Sequence, residues 1–71
     1  MVFVATGTHH QPFDRLLIAV AAAATQLDEP FVVQRGCSRV ELPGCAVHDT
    51  LPAAVFAAHL RSARAVVLHG G

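Results

Sequence analysis

The sequence predicts an α/β unit, a four-stranded parallel sheet ordered 3-2-1-4 with two helices packed on it. Three observations lead there. Strand-like and helix-like segments follow one another in the order β-α-β-β-α-β, and the strands are continuous apolar runs rather than alternations of apolar and polar residues. A strand-to-glycine junction also stands near each end of the chain. Continuous apolar strands are buried on both faces, as parallel strands are. Right-handed crossovers then place strand 1 between strands 2 and 4, the Rossmann-like arrangement. A ferredoxin-like split βαβ shares the element string, but its sheet leaves one face exposed, and these strands are too apolar for that.

The elements follow in chain order. Val2-Phe3-Val4-Ala5 is the first strand, rich in β-branched and aromatic residues and bounded by Gly7. A helix is expected from about Pro12, which suits a first turn, with Asp14 at the positive end of the helix dipole. Phe13, Leu16, Leu17, Val20, Ala24 and Leu27 recur at spacings of three and four and share one face. Pro30 ends the helix near Leu27 or Asp28. Phe31-Val32-Val33-Gln34 is the second strand, closed by Gly36, and residues 37–44 form a polar crossing with a turn at Pro43-Gly44. Cys45-Ala46-Val47-His48 is a weaker third strand. Asp49 or Thr50 is expected to cap the second helix, with Pro52 in its first turn and Val55, Phe56, His59, Leu60 and Ala63 on its inner face. Ala65-Val66-Val67-Leu68 is the last strand, opening into His69-Gly70-Gly71.

Composition narrows the function classes. The 71 residues make at most one small domain, and a chain of that size buries only about 60% of its unfolded surface. With 54% hydrophobic and 14% charged residues it is too apolar for a disordered segment, and so much apolar surface implies a cover, either a missing half or a partner subunit. Association between copies through exposed apolar surface is expected. Arginines and acids balance at five each, and lysine is absent, so no net charge favours nucleic acid or an anionic membrane. The longest apolar run, Leu16 to Ala24, is about half of the ~20 residues that cross a bilayer. Asp14 and the strand-like Val2 to Ala5 argue against a signal peptide. Cys37 and Cys45 form no CxxC pair and read as reduced thiols of a cytoplasmic protein. With His48 and His69 they fit no common zinc spacing, so no metal is expected.

At this point a family resemblance enters. Met1-Val2-Phe3-Val4-Ala5-Thr6-Gly7-Thr8-His9-His10-Gln11-Pro12-Phe13-Asp14-Arg15-Leu16 resembles the opening of the C-terminal domain of glycosyltransferase family 28, and especially its small single-domain members. Those include the catalytic subunit that adds the second N-acetylglucosamine to a dolichol-linked sugar, and bacterial exopolysaccharide relatives. Ala63-Arg64-Ala65-Val66-Val67-Leu68-His69-Gly70-Gly71 is similar to the family's strand leading into a His-Gly-Gly turn, and Val33-Gln34-Arg35-Gly36-Cys37-Ser38 fits the strand and turn after its first helix. The resemblance implies half of a GT-B enzyme, a Rossmann-like domain that binds a UDP-sugar without a metal ion. It further implies inverting transfer of a hexosyl group to a lipid-linked or polysaccharide acceptor. The family's site continues beyond its His-Gly-Gly with residues that this sequence does not contain. A truncated, incomplete site is therefore expected.

Gly7, Thr8, His69, Gly70 and Gly71 are the expected diphosphate contacts, because backbone amides at helix N-termini meet leaving-group charge. Gly7 and Gly36 equally satisfy ordinary tight turns. His9 and His10 are candidates to contact acceptor or phosphate, or to be solvated loop histidines. His59 reads as a packed histidine, Asp14 as a dipole partner, and Arg35 and Arg39 as solvated rather than phosphate-binding. No catalytic base or cofactor is assigned. Two function classes stand: the N-terminal portion of a UDP-sugar glycosyltransferase domain covering residues 1–71, or a non-catalytic Rossmann-like module docking a partner glycosyltransferase subunit. In either case a membrane-anchored partner places the chain peripherally at the membrane.

Overall fold

The computed structural model describes residues 1–6 and 14–69, His69 by its backbone alone. Its elements are β1 (Val2–Thr6), α1 (Asp14–Gln26), β2 (Phe31–Gln34), β3 (Ala46–His48), α2 (Ala53–Ser62) and β4 (Ala65–His69). Every strand pairing is parallel and the sheet order is β3-β2-β1-β4, as the sequence predicts. Val2 stands opposite Phe31 on one side and Ala65 on the other, so β1 is hydrogen-bonded along both edges.

All five residues of β1 are buried, and alternate side chains serve opposite faces of the sheet. Val2 and Val4 join Phe31 and Val33 against Leu17 and Val20 of α1, which forms the main core. Phe3 serves the other face. Its ring meets Phe56 of α2 edge-on, with centroids 5.2 Å apart and planes at 77°, and lies 5.2 Å from the ring of His59. This is the T-shaped arrangement that aromatic quadrupoles favour. His59 is thus packed, as expected from its place on the apolar face. The helices lie on opposite faces because β1 to β2 and β3 to β4 cross in opposite directions with the same right hand.

The connection from β2 to β3 has no helix. Leu42 is buried and, with half-buried Val40 and Cys45, fills the core beside α1 instead. Gly36 and Gly44 turn this segment at φ values of 60° and 79°, in the left-handed region that disfavours a side chain.

Several expectations are corrected at the periphery. Leu27 lies beyond α1 and is exposed, as are Val55 and Leu60 of α2, whose sheet-facing positions are Phe56 and His59. β3 begins at Ala46, and β4 runs one residue further than expected, to His69. Burial on both faces holds for β1 but not for β4, where Val66, Val67 and Leu68 are exposed, because the helices centre on the inner strands. Pro52 stands at the N-cap of α2 with no side-chain cap; Asp49 instead accepts from Arg35 Nε at 3.0 Å, which removes it from the capping role. Pro12 and Phe13, expected in the first helical turn, lie outside the described residues.

The amino edge of the sheet is tied by ions. Arg64, which enters β4, donates from Nε to both carboxylate oxygens of Glu29 at 3.0 Å and from Nη2 to Oε2 at 2.6 Å. The terminal ammonium of Met1 lies 3.4 Å from the same carboxylate. The Arg64 guanidinium beside Glu29 holds its carboxyl below the usual glutamate range. A depressed folded pKa stabilises the fold above the ordinary glutamate value, and that contribution is lost as pH falls through the folded value.

Two outcomes follow. Leu17→Ala removes a fully buried side chain and should cost about 2–5 kcal/mol, enough to unfold a chain this small, read by urea denaturation; a loss under about 1 kcal/mol contradicts the packing described. Glu29→Gln should lower stability at neutral pH and converge with the wild type in acid, so that its denaturation midpoint varies less across that range. Parallel pH profiles for the two proteins contradict the clamp.

Candidate functional site

The parallel register brings the carboxyl ends of all the strands to one edge. There Thr6, the last residue of β1, pairs with His69, the last of β4. β1 leaves this edge toward β2 over one face, whereas β4 arrives from β3 over the other, so the crevice between them is the topological switch point of the sheet. Open α/β sheets bind ligands at such crevices.

On the other side of β1 from this junction, the carboxyl edge between β1 and β2 is polar and cross-braced. The Thr6 hydroxyl donates to the Gln34 carbonyl at 3.2 Å, and Gln34 Nε2 donates back to the Thr6 carbonyl at 3.3 Å. Gln34 Oε1 accepts the Leu51 N–H at 3.0 Å, which ties the approach to α2 to the same point. Both residues are buried, and among the described residues no buried side-chain nitrogen or oxygen lacks a partner. Beside the brace, Arg35 is satisfied internally: Nε on Asp49 Oδ1 at 3.0 Å and Nη1 on the Val40 carbonyl at 3.3 Å. Its backbone N–H continues the ladder to the His48 carbonyl at 2.9 Å. Arg39 is exposed, 3.9 Å from Asp49 Oδ1, and donates to the Ser38 carbonyl.

Of the expected contacts, His69 closes β4 opposite Thr6. Gly7, Thr8, His9, His10, Gly70 and Gly71 lie outside the described residues; the strand ends that precede them, Thr6 and His69, are neighbours. Arg35, expected to be solvated, is instead half-buried and paired with Asp49. Cys37 is exposed, and Cys45 is half-buried with its thiol pushed up by burial, which disfavours the thiolate that a metal needs.

The Thr6–Gln34 brace was not anticipated. Its signal was one polar residue closing an otherwise apolar strand. A second feature also escaped the sequence: a groove of about 310 Å³ beside α1, lined by Leu16, Ala19, Ala23 and Leu27 and floored by Val67. No helix among the described residues is long and apolar enough to cross a membrane. Compared with protein-family models, curated proteins and solved structures, the chain matches none of them.

Gln34→Leu keeps the volume but leaves the half-buried Leu51 N–H and the buried Thr6 carbonyl without that partner. It should cost about 1–3 kcal/mol and speed exchange of the Leu51 amide. An unchanged Leu51 exchange rate contradicts the brace.

Proposed function

We propose that the crevice at the carboxyl ends of β1 and β4 holds the diphosphate of a UDP-sugar, and that the chain is the nucleotide-sugar-binding portion of a family-28-type hexosyltransferase. The register pairing of Thr6 with His69 carries this reading, because it sets the two strands that enter Thr6-Gly7-Thr8 and His69-Gly70-Gly71 side by side. Amides of glycine turns at such a switch point suit a diphosphate. In the transfer, an acceptor hydroxyl oxygen attacks the anomeric carbon as its proton passes to a base, and the bond from that carbon to the UDP oxygen breaks. The leaving diphosphate takes that electron pair, and charge stabilisation there is what Gly7, Thr8, Gly70 and Gly71 would contribute. His9 and His10 are the candidate contacts to acceptor or phosphate. Thr6, the residue of β1 that enters this site, is buried and braced to Gln34 of β2 on the side away from β4.

A second reading has its own observation in its favour. The apolar groove beside α1 suits a module that docks a membrane-anchored glycosyltransferase subunit and holds the chain at the cytoplasmic face of a membrane.

Titration of the chain with UDP-N-acetylglucosamine and with UDP, followed by amide NMR, discriminates between them. The transferase reading expects weak saturable binding with shifts concentrated at Thr6 and His69. In Gly7→Val a side chain blocks close backbone approach, and binding should weaken at least about tenfold. Absence of shifts at Thr6 and His69, or equal binding by Gly7→Val, overturns the transferase reading and favours the docking module.

A further inference from the structure

The outer edge of β4 is the least protected part of the fold. Its inner edge is bonded to β1, and among the described residues nothing pairs with the other. Such an edge presents a row of unsatisfied N–H and C=O groups. Val66 is 38%, Val67 37% and Leu68 58% exposed. Ala65 to His69 contains no charge, proline or glycine, the devices that usually blunt an edge. The opposite edge differs: β3 has only three residues, with Ala46 and His48 exposed and Asp49 next in the chain.

We propose that β4 pairs antiparallel with β4 of a second copy of this chain, joining two sheets into one across a two-fold axis through Val67. Four observations favour a second copy as the occupant. A strand related to its copy by a two-fold axis perpendicular to the sheet is always antiparallel, and an axis through Val67 is the one that pairs all five residues of β4. That register sets Val67 against Val67 on the α1 face and Val66 against Leu68 on the α2 face, so exposed apolar side chains meet their own kind. The chain carries no net charge at neutral pH, and copies do not repel. Finally, one open edge and one blunted edge make the pairing close at two copies rather than propagate. A five-residue seam falls short of the roughly 1,200 Å² of standard interfaces, which makes this a weak, reversible dimer.

The proposal is independent of what the crevice binds. Sedimentation velocity over a concentration series tests it, with Leu68→Lys placing a charge on the seam and Ile18→Lys, at a position 59% exposed on α1, as the control for lost surface hydrophobicity. The wild type and Ile18→Lys should pass reversibly from monomer to dimer, and Leu68→Lys should raise the dissociation constant at least about tenfold. A second measurement needs no variant: hydrogen exchange of the β4 amides pointing away from β1 should slow as wild-type concentration rises. A wild type that stays monomeric, species larger than two copies, an undiminished dimer in Leu68→Lys, or β4 exchange independent of concentration would each overturn the pairing.

Discussion

Everything in this fold depends on β1 being bonded on both edges and covered on both faces. Its five residues are all buried, which no other strand here achieves. Val2 and Val4 anchor α1 on one face while Phe3 anchors α2 on the other, so the two crossovers are referred to one strand. The asymmetry between the faces follows from the side chains available. α1 supplies buried Leu17 and Val20, whereas no residue of α2 is fully buried and contact rests on Phe56 and His59 against a single ring. Local stability should therefore fall from α1 toward α2 and the edge strands.

The two ends of the sheet are held by different chemistry. At the amino edge, Glu29 collects Arg64 and the Met1 ammonium in partly exposed ion pairs, whose contribution is modest and salt-dependent. At the carboxyl edge, Thr6 and Gln34 exchange neutral hydrogen bonds in a buried setting, where leaving one unmade is costly. This division suits a ligand site at the carboxyl edge. Next to the brace, Arg35 and Asp49 are paired with one another.

The topology was legible because the strands are short apolar runs separated by segments of helical length, and parallel burial leaves that pattern in sequence. The α1 face was legible at Leu17 and Val20 for the same reason. Other features depend on distance in space rather than in sequence. Glu29 and Arg64 are 35 residues apart, and Thr6 and Gln34 are 28 apart, with no local pattern linking either pair. Asp49 looked like a helix cap because capping residues often precede a proline; the guanidinium of Arg35, brought alongside by the β2–β3 pairing, competes better for its carboxylate. The exposure of Leu27, Val55 and Leu60 shows that apolar spacing marks a helix face but not how far the sheet extends beneath it. At the carboxyl edge, the adjacency of the ends of β1 and β4 was predictable from handedness alone, while the polar brace between β1 and β2 was not.

The central claim is that β1 and β4 run parallel and in register, so that their carboxyl ends meet. Interstrand NOEs between backbone protons of β1 and β4 test it most directly. The account predicts connectivities linking Val2 with Ala65, Val4 with Val67 and Thr6 with His69. Connectivities linking Val2 with His69 and Thr6 with Ala65, the antiparallel pattern, would contradict it and dissolve the shared crevice.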